Sequence, residues 1–336
     1  MKTLICEQPG RLSLAERPDP TRGEGEVLVR IRRVGICGTD FHIFGGSHPF
    51  LQYPRVMGHE LSGEVVEAPA GSALRAGQPV YVVPYLSCGT CRACRKGLTN
   101  CCRRISVLGV HQDGGMAELL AVPQGNVVAC DGLGLDAASM VEFLAIGAHG
   151  IRRGAVAADD RVLVIGAGPI GLAAMIFARA RGAEVTALDT RQDRLAFASS
   201  AVGVDGAERV SDGLHARLAR LTDGEMFDVV VDATGHAGSM RGALGYVGHG
   251  GRLVLLGVVS DELVYADPEL HKRETTLLCS RNALPADFAD VVAAMAAGQV
   301  PVSALNTHRA PLTEAVEHFA AWSRPEAGVI KAILEL

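Results

Sequence analysis

Arg161-Val162-Leu163-Val164-Ile165-Gly166-Ala167-Gly168-Pro169-Ile170-Gly171 decides the architecture of this chain. A short, buried-type strand runs into a glycine turn, and the stretch from Ile170 to Arg181 continues with the apolar spacing of a helix. In such a turn the first glycine makes the bend and the second lets a pyrophosphate approach the backbone. The third lets helix and strand pack closely. The helix N-terminus adds unpaired N–H groups and a positive dipole end for the phosphates. Alone, a G-x-G-x-x-G is weak evidence. Here the next strand, Glu184-Val185-Thr186-Ala187-Leu188-Asp189, ends about 20 residues on in an acid placed to bind ribose hydroxyls. That carboxylate repels a 2′-phosphate and favours NAD over NADP, although Arg191 keeps NADP open.

The same alternation continues outward. A helix is expected near Arg191 to Ala201, and Asp228 to Asp232 and Gly251 to Leu256 read as further strands. Residues 148–285 therefore predict a doubly wound parallel sheet, a Rossmann dinucleotide-binding domain within an α/β fold. Its cofactor-binding candidates are Gly166, Gly168, Pro169, Ile170, Gly171, Asp189, Arg194, Thr234 and Gly257. Residues 1–147 are strand-like and glycine-punctuated, with Val27 to Ile31, Leu61 to Val66 and Val80 to Val83 separated by turn signals. Residues 286–336 hold one helical stretch, Phe288 to Ala297, and an apolar end that is expected to return to the first domain.

Composition bounds the function. The chain has 336 residues, 48% hydrophobic and 21% charged, which suits two globular domains. A formal charge of −5 without a basic run gives no reason to expect nucleic acid. No apolar stretch reaches the ~18 residues of a membrane span, and the N-terminus turns polar too soon for a signal peptide. Nine cysteines then read as metal ligands or thiols in a cytoplasmic protein.

Four of them form Cys88-x2-Cys91-x2-Cys94-x7-Cys102, a spacing that can close a tetrahedral structural zinc site. The fourth ligand could slip by one to the adjacent Cys101, but Cys102 is preferred and Cys101 is left as a thiol. The other chemistry sits in Gly35-Ile36-Cys37-Gly38-Thr39-Asp40-Phe41-His42, in Gly58-His59-Glu60 and in Val141-Glu142-Phe143. A thiolate, an imidazole and a carboxylate from separate segments are what an open catalytic zinc site needs.

With these motifs in this order, the chain resembles the zinc-containing medium-chain dehydrogenase/reductase superfamily over nearly its whole length. Within it the chain is most similar to polyol and sugar-acid dehydrogenases: the sorbitol, threonine and L-galactonate 5-dehydrogenase-like enzymes. The narrower likeness rests on Ser106 to Gly115, Asp267 to Lys272 and Ser280 to Ala283. The resemblance implies that 1–147 is a β-rich GroES-like catalytic domain. It implies Cys37, His59 and Glu142 as catalytic zinc ligands, with Glu60 as a ligand that exchanges with water or substrate. Phe143 stands where the family usually has proline. Thr39 and His42 would relay the alcohol proton and Asp40 would orient His59. Phe44, His48, Phe50, His111 and Arg281 are candidates for the substrate pocket. The implied protein is an NAD-dependent zinc alcohol dehydrogenase with two zinc ions per chain, a small polyol or sugar-acid substrate, and a homodimeric or homotetrameric assembly. A zinc-free quinone reductase and a non-catalytic nucleotide-binding relative are the competing classes, and the complete ligand set argues against both.

Overall fold

The structure is a computed structural model and describes residues 1–47 and 51–336. His48 and Phe50 lie outside the described residues. The chain divides into two compact units, Met1–Glu142 with Val302–Leu336, and Phe143–Pro301. The helix Pro285–Ala296 thus stays with the second unit, and the chain re-enters the first at Val302.

The first unit is organised on the strand Glu26–Ile36. Its Val27, Val29 and Ile31 face the core in strict alternation while Arg30 is exposed, the period-2 pattern of a strand. It pairs antiparallel with Glu60–Glu67 on one side and with Lys331–Glu335 on the other. The registers set Gly35 opposite both Glu60 and Ile333. Cys37, His59 and Lys331 therefore leave or enter the sheet at the same end. Gly35 is required there: a Cβ would meet Glu60 Oε2 at 2.1 Å, so the carboxylate crosses the space that glycine leaves open. One apolar core, from Leu4 on the first strand to Leu334 on the last, holds this unit together. A two-stranded ribbon, Tyr85–Leu86 with Ser106–Val107, closes the base of the lobe that carries the cysteine cluster.

The second unit is a six-stranded, all-parallel sheet in the order Gly206–Arg209, Glu184–Asp189, Arg161–Ile165, Phe227–Asp232, Val247–Leu255, Thr276–Cys279. In chain order this is 3-2-1-4-5-6, the doubly wound arrangement, with its switch point between Arg161–Ile165 and Phe227–Asp232. The helix Pro169–Ala180 packs on it with Gly171 through Ala178 buried. Buried Asp287, at the first turn of Pro285–Ala296, ties that helix to the helix Val141–Arg153. It accepts from Arg152 Nε at 2.6 Å and lies 2.8 Å from His149 Nδ1. Among the described residues no helix is long and apolar enough to cross a membrane.

Candidate functional site

The end of the first unit's sheet gathers the predicted metal ligands. Cys37 is the N-cap of the short helix Gly38–Phe44, and His59 immediately precedes the strand that begins at Glu60. Ligand atoms of Cys37, His59 and Glu60 lie within 4.8 Å of one another. Glu142 does not join that group. It sits in the first turn of Val141–Arg153, buried, with Oε1 accepting from the hydroxyl of buried Tyr85. Its Oε2 and His59 Nδ1 are buried atoms without a hydrogen-bond partner. Asp40 differs from its expected role. Its Oδ1 is 3.8 Å from His59 Nδ1, too far for a hydrogen bond. It accepts instead from the backbone N–H of Cys37 at 2.9 Å and of Gly58 at 3.3 Å, and so fixes the two ligand-bearing segments to each other.

Glu60 is held from the far side. Lys331 Nζ donates to Glu60 Oε1 at 2.6 Å and Oε2 at 2.7 Å and to Ile36 O at 3.2 Å, in a pair that is 1% and 0% exposed. Burial pulls the Lys331 pKa down, but negative charge on the Glu60 carboxylate and the Cys37 sulfur outweighs that, and the net direction is up. Burial drives Glu142 up to about 7, with Glu60 adding to the rise and His59 and Tyr85 opposing it. Burial likewise raises Asp40. Acids crowded together out of water resist ionisation, and a divalent cation among them reverses that preference. Sulfur, nitrogen and carboxylate oxygen are the donors zinc takes, and two buried polar atoms here lack any partner, so these residues fit the ion.

In the cysteine lobe the sulfurs of Cys88, Cys91, Cys94 and Cys102 also lie within 4.8 Å of one another, whereas Cys101 is exposed and outside the set. Backbone N–H groups of Cys88 and Arg104 point at Cys102 Sγ at 3.2 and 3.3 Å. Backbone hydrogen bonds from Thr90 and Cys91 hold the Cys88 thiol down at about 5, in its thiolate form. Four sulfurs closed around one point with no open position suit a structural zinc.

The second unit carries a cavity of about 670 Å³ at the switch point of its sheet. Gly166, Gly168, Asp189 and Thr234 line it. Pro169, Ile170, Gly171, Arg194 and Gly257 do not. Pro169 and Ile170 open the helix, and Gly171 packs so tightly that a Cβ would stand 1.7 Å from Gly166 O. Gly257 packs on the backbone of Gly235, and Arg194 lies half-buried on the helix Gln192–Phe197. Asp189 accepts from Ala167 N at 2.6 Å and from Arg191 N at 2.8 Å, which locks the glycine turn onto the end of the second strand. Arg191 is turned onto Asp193, with Nε 3.1 Å from Oδ1.

The remaining expectations scatter. Thr39 stays beside the ligands, its Oγ1 3.8 Å from Cys37 Sγ, and exposed His42 pairs with Ser47 Oγ at 3.0 Å. Phe44 packs against Phe319 with ring centres 5.3 Å apart and belongs to the margin of the first core. His111 is turned back on its own loop, its Nδ1 accepting from Val107 N at 3.1 Å, and Arg281 is an exposed residue of the second unit. Sequence reasoning missed Lys331, Tyr85, and the cavity-lining His236, Ser239 and Tyr246. His236 is exposed and caps the helix Ala237–Ala243 by accepting from Ser239 N.

A parallel nucleotide-binding unit joined to a β-rich unit with a sulfur, nitrogen and oxygen donor set defines a zinc-binding dehydrogenase. Residues 23–132 match the family model of the alcohol dehydrogenase GroES-like domain and residues 169–297 that of zinc-binding dehydrogenases; the chain belongs to this zinc-type medium-chain dehydrogenase family. It is 44% identical to the L-galactonate-5-dehydrogenase of Escherichia coli (strain K12), over 95% of this chain and 94% of the relative. It is 32% identical to the D-altritol 5-dehydrogenase of Agrobacterium fabrum, over 95% of each chain. The crystal structure of a short chain alcohol dehydrogenase, RspB from E. coli CFT073, complexed with NADH, is similar with a TM-score of 0.94. That match has 30% identity and covers 100% of this chain and 99% of the other.

Proposed function

We propose that the protein oxidises a secondary alcohol of a sugar acid or polyol, of the L-galactonate type, with NAD as hydride acceptor. The observation that carries the reading is the convergence of Cys37, His59 and Glu60 at one sheet end, with the buried, half-satisfied Glu142 in the first turn of Val141–Arg153. Cys37, His59 and Glu142 would hold the catalytic zinc, and Cys88, Cys91, Cys94 and Cys102 the structural one. When bound, zinc supplies Lewis acidity that makes the substrate hydroxyl a stronger acid, and NAD supplies the hydride acceptor. The chain's own residues do the rest. Asp40 keeps the two ligand segments in register through their backbones. The Thr39 hydroxyl, next to Cys37, would accept the alcohol proton while releasing its own toward the cofactor ribose and His42, which pairs with Ser47. Glu60 is the exchanging ligand, restrained by Lys331. A carboxylate in place of a second thiolate favours a substrate with neighbouring hydroxyls, because hard oxygen donors suit one another at a borderline metal.

On the cofactor side, Asp189 would meet the ribose hydroxyls, with Gly166, Gly168 and Thr234 lining the space for the dinucleotide. The assembly in this reading is a homodimer or homotetramer. The edge strand Thr276–Cys279 pairs on one side only among the described residues and leaves Leu277 41% exposed, a surface that a second copy would cover. The cytoplasm is the proposed compartment, since none of the nine cysteines is paired in a disulfide and five of them are read as zinc ligands. The test is NAD reduction across L-galactonate, other aldonates, hexitols, pentitols and threonine, with and without chelator. Turnover of an aldonate or polyol that chelation abolishes is expected, and Cys37→Ser should remove it while leaving NADH binding within about threefold, at most ~0.7 kcal/mol. Chelator-resistant activity would sink the metal role.

A further inference from the structure

The two-stranded ribbon that closes the cysteine lobe also reaches the catalytic carboxylate. Tyr85 begins the strand Tyr85–Leu86, three positions before Cys88, and its hydroxyl donates to Glu142 Oε1. Its position is set by pairing: Tyr85 stands opposite Val107, and Asn126 Nδ2 donates to its carbonyl at 3.2 Å. Both partners are buried, Tyr85 at 8% and Glu142 at 3% exposure. A buried tyrosine needs an acceptor, and Glu142 could be no more than that. The carboxylate argues otherwise. A group present only to satisfy one hydroxyl would not keep a second oxygen, Oε2, buried and unpaired, because an unmet buried acceptor is costly.

We propose that Tyr85 is a positioning residue for Glu142: it takes one carboxylate oxygen and so reserves the other for the metal. The proposal rests on the reading of Glu142 as a zinc ligand. Glu60 and Glu142 then differ in their restraints. Both oxygens of Glu60 are engaged by Lys331, whereas Glu142 is tethered by one oxygen only. The tethered carboxylate with an unengaged oxygen is the resident ligand, and the doubly engaged one is the visitor. Partners of this kind behind a metal ligand orient it, and their loss weakens metal binding by about 10–100-fold.

The test uses the full chain carrying zinc in the cysteine lobe and cobalt(II) exchanged into the catalytic site. Tyr85→Phe, which removes only the hydroxyl, should alter the cobalt visible spectrum and speed release of that ion to a chelator by about 10–100-fold. Glu142→Gln should do the same, and the double variant should release no faster than Glu142→Gln alone. The lobe's own zinc, retained throughout, reports that each variant is folded. Tyr85→His, which keeps a ring and a donor, should recover part of the loss and serves if the phenylalanine variant does not fold. An unchanged spectrum and release rate in Tyr85→Phe, with Glu142→Gln altered, overturns the proposal and leaves the ligand reading standing. If Glu142→Gln changes neither, both fall.

Discussion

Lys331 shows how one side chain can be read too late. It interrupts the apolar run Val329-Ile330-Lys331-Ala332-Ile333-Leu334, and a lysine at an inward strand position demands an anion. That signal is in the sequence, but its partner is not, because Glu60 lies on a strand two places away in the sheet. Breaking a buried pair from one side strands the other charge, typically at about 3–5 kcal/mol. Lys331→Met should therefore lower stability toward urea by about that amount. Lys331→Met combined with Glu60→Gln should recover at least half of it, since the uncompensated carboxylate is gone. A double variant as unstable as the single one would mean that Lys331 acts through packing alone. Tyr85 carried no comparable signal. A tyrosine before a cysteine cluster has many uses, and its partner is distant in sequence.

At the scale of elements, local pattern sufficed wherever the chemistry is contiguous. The glycine turn, Asp189 and the four-cysteine lobe each lie within one or two adjacent elements, and spacing alone reads them. Glu142 was legible as a lone acid in an apolar run, but not its helix or its tyrosine tether, which depend on packing between segments. The same holds for Asp287, whose partners come from the helix Val141–Arg153. Burial pushes the Asp287 pKa up, but hydrogen bonds from His149, Arg152 and Leu284 N prevail and hold it at about 2 against a usual 3.8. A carboxyl depressed in the fold contributes stability above its unfolded pKa and loses it as pH falls through the folded one. Asp287→Asn should thus cost about 1–2 kcal/mol at neutral pH, after allowance for Arg152's partial solvent access. The gap from the parent should close between about pH 4 and pH 2, because the native aspartate loses its charge there. Urea unfolding at a series of pH values measures it; a gap independent of pH would mean that shape rather than charge makes this contact.

For the whole molecule, the decisive fact is continuity of chain. The second unit is one uninterrupted segment, Phe143–Pro301, with all six strands of its sheet and a core of its own, from Leu163 and Ile165 to Leu253 and Leu255. The first unit is discontinuous, since its sheet needs Lys331–Glu335 beside Glu26–Ile36. A unit that buries its own core and closes its own backbone hydrogen bonds can fold alone. The glycine turn, Asp189 and the cavity at the switch point all belong to the continuous segment. Residues 143–301 expressed alone should therefore fold cooperatively and bind NADH within about tenfold of the full chain, a difference of ~1.4 kcal/mol. They should hold no zinc, because every predicted ligand lies outside them. The complementary piece, residues 1–142, keeps Leu119–Pro123 paired with Glu26 to Arg30 but lacks the strand that pairs with Arg33 to Ile36, and should aggregate unless residues 302–336 are joined to it. Fluorescence titration with NADH, metal analysis and thermal melting of the two pieces check these outcomes. A second unit that melts without cooperativity, or binds NADH only in the presence of the first, would show that nucleotide recognition is shared between the units.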